Sequence, residues 1–122
     1  MSDELVITKK DVDEVRPIKI TDQTDGRVYT LEFDKKSVKF ADARGFALED
    51  VDRFPMSKMY ELFWYSFRMH HPSVSMEKAE RIFDGIGQLP DGFMQRLSAL
   101  YMKPFEGFTE ESDVNPTTIV EL

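Results

Sequence analysis

Cysteine is missing from this 122-residue chain. That removes a disulfide framework, a thiolate metal cluster and a cysteine nucleophile, and it suits a reducing compartment. Imidazole is nearly as scarce, with His70 and His71 the two histidines. The opening MSDELVITKK has neither the basic start nor the apolar run of a secretory signal. No stretch approaches the roughly 18 uninterrupted apolar residues of a membrane helix. These absences predict a soluble, intracellular protein. Gly85, Gly87 and Gly92 follow no predicted strand, and no Lys-Ser or Lys-Thr comes after them, so a phosphate-cradling loop is unsupported. Internal repeats are also lacking.

What is present is a globular composition. The apolar fraction of 41% is enough for one domain with a modest core, and too high for a wholly disordered chain. The net charge of −7 sits at the ends. Residues 1–14 carry Asp3, Glu4, Asp11, Asp13 and Glu14 against Lys9 and Lys10, a balance of −3. Residues 109–122 carry Glu110, Glu111, Asp113 and Glu121 with no basic residue, a balance of −4, which leaves 15–108 neutral. Acidic ends repel polyanions, so nucleic-acid binding is disfavoured. The expected organisation is a flexible acidic leader at 1–14, one domain at 15–108 and a flexible acidic tail at 109–122.

Within the domain, Arg16–Thr21 places Ile18 and Ile20 on one side, and Asp22–Gly26 (DQTDG) ends in an Asp-Gly turn signal. Arg27–Phe33 then alternates, with Tyr29, Leu31 and Phe33 on one face. The pattern predicts a β-hairpin whose apolar face needs helices against it. Asp34 fits the N-cap of a helix to about Arg44, stopped by Gly45, with Val38, Ala41 and Phe40 turned inward. Phe46, Leu48, Val51 and Phe54 follow in a short acidic segment that reads as one helical turn or an ordered loop. Pro55 suits the first turn of a helix to about Met69, and His71-Pro72 ends it. Ser75 caps a helix carrying Met76, Ala79, Ile82 and Phe83, which ends near Gly85 and Gly87. Pro90 starts a last helix with Phe93, Met94, Leu97, Leu100 and Tyr101, after which Phe105 and Phe108 tuck back onto the domain. The fold class is α+β, an N-terminal β-hairpin packed against a bundle of three to four α-helices.

The segment Pro55–Pro72 (PMSKMYELFWYSFRMHHP) is the most unusual in the chain. At about 100° per residue its large apolar side chains fan over roughly 220° of helix surface. Such a helix must be covered from several directions, and core packing accounts for Leu62, Met59, Phe63 and Phe67. Tyr60, Trp64 and Tyr65 lie at the edges of the arc, where exposed aromatics suit a protein partner. The protein-binding candidates are Tyr60, Trp64, Tyr65, Phe67, Phe93 and Tyr101.

Catalytic signals are weak. His70 and His71 point about 100° apart on a helix and lack an acidic partner nearby in sequence, so they read as helix C-terminal groups rather than metal ligands. Ser66 and His70 are spaced i,i+4, but no glycines of a nucleophile elbow flank the serine. Carboxylates such as Glu49 and Asp52 read as a solvated face. No catalytic, cofactor-binding or metal-binding residues are assigned.

Three pieces carry a resemblance to a known family: YTLEFDKKSVKFADARGF (Tyr29–Phe46), FRMHHP (Phe67–Pro72) and LSALYMKPFE (Leu97–Glu106). In order and spacing they resemble proteins of tail-gene clusters in long-tailed phages and Gram-positive prophages, labelled tail assembly chaperones. The resemblance runs from the second strand to Phe108 and leaves out the leader and the tail. It implies a non-enzymatic protein of the bacterial host cytoplasm that binds the tape measure protein, keeps it soluble and recruits tail-tube subunits, and is absent from the finished virion. It also implies a longer form made by frameshifting, which would diverge after Thr109. Self-association into a homo-oligomer is compatible with the broad apolar helix. The rival readings are a head–tail or tail-completion component retained in the virion, and a small protein-binding adaptor.

Overall fold

The hairpin forms where the alternation places it. A computed structural model describes residues 7–108 and 121–122; in it β1 (Ile18–Asp22) pairs antiparallel with β2 (Arg27–Leu31), with Ile18 opposite Leu31 and Asp22 opposite Arg27. Asp22 builds the turn between them. Its carboxylate accepts the Thr24 N–H at 3.1 Å and the Thr24 hydroxyl at 2.7 Å, and its carbonyl accepts the Gly26 N–H at 2.7 Å. Gly26 sits at φ +75°, a left-handed conformation that costs glycine little. Ile18, Tyr29, Leu31 and Phe33 all lie buried on the helix-facing side.

Six helices complete the described chain: α1 (Lys9–Asp13), α2 (Lys35–Ala43), α3 (Asp50–Arg53), α4 (Pro55–Tyr65), α5 (Met76–Ile86) and α6 (Phe93–Met102), the last running into a 3-10 turn at Lys103–Phe108. The architecture is α+β, and the helices beyond the expected three to four are the short α1 and α3. Asp34 caps α2 reciprocally with Ser37, each side-chain oxygen accepting the other residue's N–H at 2.8 Å. Ser75 caps α5 by accepting the Lys78 N–H at 3.1 Å.

The core is centred on α4. Its Leu62, Phe63 and Tyr65, with Phe67 just beyond, meet Leu31 and Phe33 of the hairpin segment, Val38 and Ala41 of α2, Ala79 and Ile82 of α5, and Leu97, Leu100 and Tyr101 of α6. Rings pack edge to face, as between Phe63 and Phe67 at 5.1 Å and between Phe33 and Tyr101 at 5.1 Å. This geometry adds to the stabilisation from burial alone.

Besides β2, which ends at Leu31 rather than Phe33, three boundaries differ from the sequence expectation. α4 stops at Tyr65 rather than Met69 because the Ser66 carbonyl, which a continuing helix would present to residue 70, instead accepts the Glu32 N–H at 3.0 Å. The chain then tightens into i→i+3 turns, with the Phe67 N–H on the Trp64 carbonyl and the Arg68 N–H on the Tyr65 carbonyl. α6 begins at Phe93 rather than Pro90, since Gly92 at φ +79° is left-handed and Pro90 belongs to the preceding turn. Finally, the expected leader is partly built into the domain. Thr8 and Asp11 form a capping box for α1, Val12 is buried, and Gln95 of α6 donates to the Asp11 carboxylate at 2.9 Å. Residues 1–6 of the leader and 109–120 of the tail lie outside the described residues, as does the side chain of Phe108. Among the described residues no helix is long and apolar enough to cross a membrane.

Candidate protein-binding surface

Four of the six aromatics proposed from sequence are core residues. Tyr65, Phe67, Phe93 and Tyr101 are all buried. Tyr65 was expected at the edge of the α4 arc, but α2 and the segment after it close over that edge, placing Phe40 at 6.0 Å and Phe46 at 5.3 Å from its ring. Burial raises the Tyr65 hydroxyl above its ordinary value and pushes that of Tyr101 up to about 12. Both therefore stay neutral.

Tyr60 and Trp64 are half-buried and already engaged. The Tyr60 hydroxyl donates to the Asp84 carboxylate on α5, and its ring meets Phe83 at 4.9 Å. The Trp64 indole N–H donates to the Val74 carbonyl at 2.9 Å, and the Arg44 guanidinium lies 5.2 Å from its ring. Arg68 stacks over Phe40 at 3.7 Å beside it. These contacts tie α4 to its neighbours.

The histidines do not cap the helix. His71 Nε2 accepts the Thr30 N–H of β2 at 2.9 Å, and His70 Nε2 lies 2.8 Å from the Glu32 carboxylate. Burial, with His70 and Arg27 nearby, holds His71 below the usual imidazole value, as an acceptor nitrogen requires. The pair thus fastens the exit of α4 to the hairpin. Ser66 is buried and donates to the Phe63 carbonyl rather than to His70. The cavity beside His71 measures about 10 Å³, room for a single water.

Uncovered apolar surface lies elsewhere. A groove of about 300 Å³ runs between α2 and the 3-10 turn, lined by Val38, Pro104 and Phe105, with Lys35, Lys39 and Asp42 along it. Its shape follows from local chemistry. The α2 cap turns Val38 inward, while Lys35 and Lys39, four residues apart, share the outer face. Beyond α6 the chain folds into the 3-10 turn that carries Pro104, and Phe105 rests against Tyr101 with ring centroids 6.0 Å apart. Phe105 was expected to tuck back, yet it is 47% exposed. The signal for that exposure was the proline one residue earlier, which breaks the helical facing that would bury the ring. A second uncovered spot flanks Pro55, where Phe54 is 52% and Met56 80% exposed.

The family described as Domain of unknown function (DUF5055) matches residues 1–120. No curated protein and no solved structure matches the chain.

Proposed function

We propose that this chain, which belongs to the DUF5055 family, is a non-enzymatic tail assembly chaperone of a phage or prophage, acting in the bacterial cytoplasm. Its partner is the tape measure protein, whose apolar helical segments it holds until tail-tube subunits assemble around them. The observation that carries this reading is the groove of Val38, Pro104 and Phe105. In a domain whose other large aromatics are mostly sealed into the core, a half-exposed phenylalanine over an apolar floor is surface suited to another protein. Both walls come from segments that carry the resemblance, Tyr29–Phe46 and Leu97–Glu106. The groove's size suits one or two large side chains of an amphipathic helix, and Lys35 and Lys39 favour acidic residues beside them.

Co-expression with fragments of the tape measure protein tests the reading. The chain is expected to raise the soluble fraction of those fragments and to co-purify with them. Mass spectrometry of purified virions should then lack the chain. Fragments that stay insoluble in its presence, or stoichiometric amounts of it in virions, would overturn the proposal.

A further inference from the structure

The two edges of the hairpin are unlike. On β2 two of the outward N–H groups are already taken, that of Thr30 by His71 Nε2 at 2.9 Å and that of Glu32 by the Ser66 carbonyl at 3.0 Å. Because the Thr30 N–H points away from β1, Thr30 and its register partner Lys19 form a non-hydrogen-bonded pair, and alternation makes Thr21 and Val28 another. The N–H and C=O groups of Lys19 and Thr21 therefore face outward on β1. Both residues are exposed, and among the described residues no hydrogen bond reaches these outward groups.

This open edge is short and bounded. At one end Arg96 donates to the carbonyls of Arg16 at 2.8 Å and Pro17 at 2.7 Å, and proline has no N–H. At the other end the Asp22 turn begins. Beside the edge, between β1 and α5, lies a groove of about 340 Å³ floored by Ile20, Ile82 and Ile86.

We propose that the β1 edge pairs antiparallel with the same edge of a second copy, about a two-fold axis at Ile20. In that register Lys19 faces Thr21 of the other copy at both ends, and the two pairs exchange four hydrogen bonds that use every outward group. Ile20 faces its symmetry mate on the helix side, where the two side chains enter the groove beside Ile82 and Ile86. The neighbouring two-fold registers are worse: centred on Lys19 they oppose two ammonium groups and bring Thr21 against Pro17, and centred on Thr21 they bring Lys19 against the turn. An unstructured peptide would make the same bonds only after losing chain entropy, whereas β1 is already held extended by β2. With the Thr30 and Glu32 N–H groups taken, β2 lacks the two successive free pairs that this register uses, so addition stops at two copies and leaves a continuous four-stranded sheet. The pairing does not depend on what the α2 groove holds.

Light scattering coupled to size exclusion, across a concentration series, should show the mass doubling from 14.2 kDa. In the same series the Lys19 and Thr21 amides should become protected from hydrogen exchange as the dimer forms, while that of Ile20, bonded to β2, is protected throughout. Thr21→Pro removes one outward N–H without touching the β1–β2 ladder and should leave a folded monomer. A monomeric mass at every concentration would overturn the inference. So would a dimer whose Lys19 and Thr21 amides exchange as fast as in dilute protein, a readout on the unaltered chain that does not depend on the variant folding.

Discussion

Replacing Phe63 with alanine removes the side chain on which the packing of α4 turns. Phe63 is fully buried, with ring centroids 5.1 Å from Phe67, 4.8 Å from Phe83 and 6.2 Å from Phe93. A buried Phe→Ala change costs about 3–5 kcal/mol through lost transfer energy and the cavity left behind. Three ring partners place this site in the upper part of that range. The individual pair energies of about 0.5–1.5 kcal/mol do not simply add, because the rings share neighbours. Since a domain of this kind is stable by about 5–15 kcal/mol, the variant should lose a large share of its margin. Urea unfolding followed by the fluorescence of Trp64, the sole tryptophan, measures it directly, because the indole is anchored to Val74 in the fold. Met56→Ala on the same helix is the control, since that side chain is 80% exposed and its loss should change stability by no more than about 0.5 kcal/mol. Phe63→Leu, with a smaller expected loss, serves if the alanine variant does not fold. A loss below about 2 kcal/mol for Phe63→Ala, or a loss at Met56 equal to it, would refute the orientation of α4 described above.

Three further outcomes follow from the hydrogen bonds. Because His71 is held below its ordinary value and accepts the Thr30 N–H as a neutral ring, its contribution is present above about pH 6.5 and is lost as pH falls toward the folded-state value; the gap in urea midpoint between wild type and His71→Phe should narrow from pH 8 to pH 5, and a constant gap would refute the latch. The Asp22 carboxylate is kept well below the usual range by Arg81 at 2.8 Å and by Thr24, so its stabilising effect is present above about pH 4 and disappears in acid; Asp22→Asn should lower the melting temperature at pH 7 and flatten the acid limb of the stability profile. Asp34→Ala removes the α2 cap and should cost about 1 kcal/mol of unfolding free energy measured in urea, with no change contradicting the capping box.

Elements set by local chemistry were legible in the sequence. The Asp-Gly turn, the alternation ending at Phe33, the Asp34 and Ser75 caps and the Gly45 stop each act within a few residues, and each appears where expected. The Thr8–Asp11 box is equally local, but it lies in a segment whose acidic balance is that of a solvated chain end. Elements settled by distant partners were not legible. Whether α4 continued past Tyr65 depended on Glu32 claiming the Ser66 carbonyl, a contact 34 positions away in the chain. The histidines met Thr30 and Glu32 across 41 and 38 positions, and nothing in their immediate neighbourhood announced an acidic or backbone partner. The same reason explains the aromatics. The width of the α4 arc correctly implied cover from several sides, but which edge stayed open depended on where α2 and α5 docked. Among the aromatics the uncovered surface came to rest at Phe105 and Phe54 instead, with Met56 and Val28 also exposed.

The central claim is that the groove over Val38, Pro104 and Phe105 is the surface that holds the tape measure protein. Phe105→Glu tests it most directly, because the ring is half-exposed and its replacement should change the unfolding free energy by no more than about 0.5 kcal/mol. Co-expressed with tape measure fragments, the folded variant should lose both co-purification and the gain in soluble fragment that the unaltered chain confers. Solubilisation by Phe105→Glu equal to that of the unaltered chain would contradict the claim.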